Sequence, residues 1–103
     1  MRPLWPAAGK EDAMSVMVNI HKTHRQYTSG QETVPVNGDT VGDCLNDLIE
    51  RFPQMKTALW DGKGRLKNQI EIYVNMESAY PDELKKKVRP GDEIHITVML
   101  AGG

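Results

Sequence analysis

The residues best suited to chemistry stand at the end of the sequence, Leu100-Ala101-Gly102-Gly103. Glycine makes up about 7% of average sequence, so a doublet at this place arises by chance in roughly one chain in 200. Lacking a Cβ, two glycines in a row anchor a chain end poorly and thread it well. A carboxylate carried in this way can enter a narrow slot and leave its carbonyl open to attack. Residues 93–100 read as a strand directly before the doublet, so a rigid body would present a short mobile tail with an available carboxyl group. A frayed end without function would carry the same two residues.

The elements that must position this tail are legible from periodicity. Val16, Val18 and Ile20 alternate with Met17 and Asn19, the period of a half-buried strand. A polar loop over residues 21–30 leads to a second short strand, Thr33–Val36, and the two strands make a hairpin with a long connection. Asn37-Gly38-Asp39 signals a turn, and Thr40 is placed as a helix N-cap with Asp43 three residues on. Val41, Cys44, Leu45, Leu48, Ile49 and Phe52 then recur at spacings of three and four, one apolar helical stripe that Pro53 terminates. A short helical piece through Met55, Ala58 and Leu59 is broken by Asp61-Gly62-Lys63-Gly64. Ile70, Ile72 and Val74 alternate as a third strand. A charged connection over residues 81–87 and the turn Arg89-Pro90-Gly91-Asp92 lead to a last strand with Ile94, Ile96, Val98 and Leu100 on one face. One amphipathic helix covers one face of such a sheet and leaves the other to solvent or a partner.

Bulk properties narrow the class. The chain has 103 residues, enough for one domain, and a net charge of −1. That charge gives no electrostatic case for nucleic acid or an anionic membrane as partner. A single cysteine excludes an intrachain disulfide and a multi-cysteine metal site. No stretch approaches the ~20 apolar residues of a membrane span, and the opening apolar run is too short and proline-broken for a signal peptide. A cytoplasmic protein is the expectation. Residues 1–13 lack periodicity and are read as a disordered leader or an appended extension, residues 14–98 as the domain, and 99–103 as the reactive tail.

These elements and the final Gly-Gly resemble the ubiquitin-like β-grasp fold, an α+β class in which one main helix covers a mixed sheet of four or five strands. Within that fold the chain is similar to the MoaD/ThiS family of prokaryotic sulfur carriers, most of all its longer MoaD-like members. The segments that carry the likeness are Thr40-Val41-Gly42-Asp43-Cys44-Leu45, Asp61-Gly62-Lys63-Gly64-Arg65-Leu66, Ile72-Tyr73-Val74-Asn75, Gly91-Asp92-Glu93-Ile94 and Leu100-Ala101-Gly102-Gly103. The resemblance implies a protein co-substrate without catalytic residues or a stably bound cofactor. An E1-like enzyme would spend ATP to adenylate Gly103, with Gly102, Ala101 and Leu100 threaded into its site. A sulfur donor would then displace AMP and leave a thiocarboxylate. The acceptor implied is either a molybdopterin synthase large subunit or a cysteine or homocysteine synthase, with thiamin formation less well matched to the longer body. The chain departs from the family in having Thr97-Val98-Met99 before the tail, where a proline element is common, and Met76 where glycine often follows Val-Asn.

Other residues have plainer roles in this reading. Cys44, on the apolar stripe, is expected to be a buried structural thiol rather than a relay nucleophile. His21 and His24 have the spacing of a metal pair but no third ligand nearby, and no metal site is expected. His95 is expected at a surface or interface rather than as a general base, and Lys85-Lys86-Lys87 as a solvated run. Alternation places Met17, Tyr73, Thr97 and Met99 together on the open sheet face, where adaptable methionines beside an aromatic suit a docking patch. Two other functions use the same features: a ubiquitin-like modifier conjugated through Gly103, and a non-covalent β-grasp interaction module.

Overall fold

The alternating residues Val16–Asn19 form strand β1, and Thr33–Val36 form β2, which pairs antiparallel with it in the register Val16–Val36 to Asn19–Thr33. The computed structural model describes residues 15–99; the proposed leader and the residues Leu100, Ala101, Gly102 and Gly103 lie outside the described residues. Helix α1 spans Val41–Arg51 and α2 spans Met55–Leu59. Strands β3 (Ile70–Val74), β4 (Glu77–Ser78) and β5 (Glu93–Val98) complete a five-stranded sheet of order β2-β1-β5-β3-β4. The sheet is mixed, because β1 and β5 run parallel while the other pairs are antiparallel. This is the β-grasp architecture expected from the sequence.

Helix α1 begins where its chemistry dictates. The Thr40 hydroxyl accepts the Asp43 backbone N–H at 3.1 Å, meeting one of the donors that a helix start leaves open. Val41, Cys44, Leu45 and Leu48 are buried on the face turned to the sheet, while Ile49 and Phe52 are half-buried at its margin. Opposite them lie Val16, Val18, Val34, Val36, Ile72, Ile94 and Ile96. Each large aliphatic side chain enclosed in this way contributes about 1.5–3 kcal/mol relative to exposure.

Two glycines permit close approaches at this helix. A Cβ on Gly38 would lie 2.7 Å from the Cys44 backbone nitrogen and 2.9 Å from its Sγ. A Cβ on Gly42 would lie 3.0 Å from the Leu84 carbonyl oxygen, so the bare Gly42 lets the connection after β4 pack on the first turn of α1.

Three elements were absent from the sequence reading. The 21–30 loop contains a 3-10 helix, Lys22–Thr28, whose N-cap His21 accepts the Thr23 N–H through its ring. A second, Glu83–Lys85, lies in the charged connection. Strand β4 turns back from β3 through Asn75 and Met76, both left-handed at φ 50° and 73°. Strand β5 also ends at Val98, short of the residue 100 expected from the alternation.

Replacing Leu48, which is fully enclosed, by alanine should lower unfolding free energy by about 2–5 kcal/mol in urea titrations. Met76→Gly should do the opposite, adding up to about 1 kcal/mol. Met76 is exposed, so its side chain forfeits little burial, and glycine adopts the left-handed backbone without strain.

Candidate docking surface and tail root

The open face of the sheet follows from the registers. Met17 on β1 lies beside Glu93 on β5, Tyr73 on β3 lies opposite His95, and Glu71 opposite Thr97. Met17, Tyr73 and Thr97 therefore share one face on the three adjacent strands β1, β5 and β3, with the helices on the other. They are half-buried, and only Met99 of the four is clearly exposed. The Thr97 hydroxyl donates to the Glu71 carbonyl at 3.2 Å, and His95 Nε2 lies 3.3 Å from the Glu93 carboxylate. Glu71 and Glu93 give this face an acidic character that the apolar alternation did not reveal.

Two sets of bonds hold β5 at its ends. At the start, Asn75 Nδ2 donates to Asp92 Oδ1 at 3.0 Å, and the Glu93 N–H donates to Asn75 Oδ1 at 3.0 Å. The Arg89 N–H donates to the other Asp92 oxygen at 2.9 Å. The bond from Asn75, then that from Arg89, hold the Asp92 carboxyl below the usual carboxylate range. At the far end, the Met99 N–H donates to the Gln69 carbonyl at 2.6 Å. The chain thus leaves the sheet beside Gln69, and Gly103 lies four residues farther along the sequence.

A groove of about 930 Å³ lies at this root, along the outer edge of β3. Strand β4 pairs only with Tyr73 and Val74, and the Ala79 N–H bonds the Ile72 carbonyl before the chain turns away at the cis Tyr80–Pro81 peptide. The groove is left between β3, the segment carrying Leu66, and the connection carrying Tyr80 and Leu84. Sequence reasoning missed it because its walls come from irregular segments without a period. That the exposed Tyr80 and Met99 line one groove is visible only in three dimensions.

The remaining candidates hold no reaction centre. Cys44 is buried, and enclosure, then the nearby Asp43, Asp47 and Asp39, push its thiol up to about 11. It is a packed side chain with little thiolate at neutral pH. His24 is held below its ordinary value by burial, then by His21 and Lys67. Its Nδ1 has no hydrogen-bond partner among the described residues, and the neighbouring His21 is engaged in capping. Among the described residues no three histidine, cysteine or acidic side chains cluster as metal ligands, and no helix is long and apolar enough to cross a membrane.

Comparisons with known proteins agree with this fold. The model of the ThiS family matches residues 18–103. The chain is 33% identical over 93 residues to the sulfur carrier protein CysO of Mycobacterium tuberculosis, an alignment spanning 87% of this chain and all of that protein. It is similar in structure to a chain in the crystallised BexX/CysO complex of Amycolatopsis orientalis, with a TM-score of 0.78, 31% identity and coverage of 86% of this chain and 100% of the other. Small archaeal modifier protein 1 of Haloferax volcanii follows the same fold with a TM-score of 0.75 and 27% identity, over 86% of this chain and 99% of the other.

The Asp92 bonds carry a pH signature. A carboxyl with a depressed folded pKa adds stability above its unfolded value and loses it as pH falls through the folded value. Asp92→Asn should therefore unfold at lower urea than the native chain at neutral pH. The gap should narrow as pH drops from about 4 towards about 2.

Proposed function

The chain belongs to the ThiS family, of the ubiquitin-like β-grasp sulfur-carrier type, and from that premise we propose that Gly103 is the atom-bearing end of a carrier cycle. The observation that carries the reading is a family match over residues 18–103, which takes in Gly102-Gly103. In the cycle, a carboxylate oxygen of Gly103 attacks the α-phosphate of ATP in an E1-like enzyme, and pyrophosphate departs. The product is a mixed anhydride with AMP. A sulfide-level sulfur then attacks the carbonyl, the new C–S bond forms, the C–O bond to AMP breaks, and a thiocarboxylate remains.

The residues present suit such a role. Hydroxide is a poor leaving group and AMP a good one, so activation has to precede sulfur transfer. Gly102 and Gly103 put no side chain beside the attacked carbonyl. Cys44 is buried with its thiol pushed up, and in this reading orientation and charge stabilisation come from the activating enzyme. The chain acts as co-substrate, and ATP is bound by its partner.

The acceptor we favour is an enzyme forming cysteine or homocysteine rather than a molybdopterin synthase large subunit. The full-length likeness to proteins named CysO supports that choice. A second reading is supported by the likeness to a small archaeal modifier protein, 32% identical over 71 residues: the same adenylate transferred to a lysine amine, forming an isopeptide.

Intact-mass measurement separates these outcomes. Incubated with ATP, a sulfur donor and extract of the source organism, the full chain should gain the mass of one sulfur in exchange for one oxygen. A chain lacking Gly103 should fold but gain nothing. A ladder of larger adducts would instead favour the modifier, and an unchanged mass would overturn both.

A further inference from the structure

Among the described residues three large apolar side chains stand well out in solvent, Met76, Tyr80 and Met99. Tyr80 is 77% exposed and Met99 49%, and both line the groove at the outer edge of β3. Below them are the half-buried Leu66 and Leu84 and the buried Ile70 and Ile72. Charged residues, among them Arg65 and Asp82, also line it. An exposed aromatic and a methionine above an apolar floor, with polar residues around them, is the composition of a recognition site.

Chain length says what covers it. Gly103 is four residues beyond Met99, so its carbonyl lies within about 14 Å of that wall even when fully extended. A protein domain has a radius of gyration of about 13 Å at only 100 residues. An enzyme that encloses the Gly103 carbonyl therefore cannot avoid the surface around Met99. We infer that the groove formed by Leu66, Ile70, Tyr80, Leu84 and Met99 receives a large apolar side chain, of the leucine, methionine or phenylalanine class, from the ATP-dependent enzyme that activates Gly103. This rests on the carrier reading and adds to it a specific footprint for the partner. The groove continues from the half-buried open face around the edge of the sheet, where Glu71 belongs to both.

The test is ATP–pyrophosphate exchange by the purified activating enzyme of the source organism, with full-length carrier as the varied substrate. Tyr80→Ser combined with Met99→Ser should raise the KM for carrier about tenfold, a loss of about 1.4 kcal/mol of binding. The change should fall on KM rather than kcat, because the chemistry occurs at Gly103. Thermal unfolding of the variant should match the native chain, since both side chains are exposed. Tyr80→Phe should restore most of the affinity by returning the ring. Met76→Ser, equally exposed but outside the groove, should leave KM unchanged. A native KM in the double variant, or an equal rise from Met76→Ser, overturns the groove while leaving the carrier reading intact. Absence of exchange with the native chain overturns both.

Discussion

Everything in this molecule depends on placing its last strand in the middle of the sheet. Strand β5 lies between β1, from the start of the chain, and β3. Its pairing with β1 joins residues seventy-six positions apart, Met17 beside Glu93, so the sheet closes only when distant segments meet. Such long-range pairing is entropically costly to form. A slip of one residue would turn Ile94 and Ile96 from the core towards solvent and bring His95 and Thr97 inward. The register is therefore held at both ends, by Asn75, Asp92 and Glu93 at the start and by Met99 with Gln69 at the finish. The point at which the chain leaves the sheet is fixed by the same bonds that fix the core.

That arrangement suits a protein that supplies a reactant to other enzymes. The buried apolar residues among the described ones run from Val16 to Ile96, with Val98 packed partly against them. Cys44, the single thiol, is spent on packing under α1, where its reactivity is suppressed. A carrier handled by more than one enzyme gains from this separation: strain or chemistry at the end need not be felt by the core. The open face carries Glu71, Glu93 and His95 around Tyr73, polar groups that water can solvate.

Periodicity made most of this legible in advance. The alternations that became β1, β2, β3 and β5, and the three-four stripe of α1, each arise from burying one face, and burial writes a period into sequence. The N-cap at Thr40 was readable because a hydroxyl before an apolar stripe has few other uses. Elements held by local bonds were not readable. The 3-10 helix Lys22–Thr28 buries only Thr28, whose hydroxyl donates to the Gln31 carbonyl at 2.9 Å, and one buried residue makes no pattern. Strand β4 is two exposed residues reached through Met76, a residue that ordinarily avoids the left-handed region its backbone occupies. Met17, Tyr73 and Thr97 were read correctly as sharing the open side of the sheet but not as to exposure, since alternation does not report how far cross-strand neighbours cover one another.

The shortness of β4 has a consequence beyond topology. Had it continued alongside Ile70, its side chains and backbone would have closed the outer edge of β3. Instead the chain departs after Ala79, and Gly42 admits Leu84 against the first turn of α1. That contact draws the connection across the helix and leaves an open trough between it and the strand. Tyr80 and Met99 stand exposed on this trough, where polar side chains would have served the core equally well. The trough lies beside the strand end, and Met99 on its wall is four residues from Gly103 in the sequence. The same deviation from regular pairing that hid the groove from the sequence gives the surface its only strongly exposed apolar pair beside the tail root among the described residues.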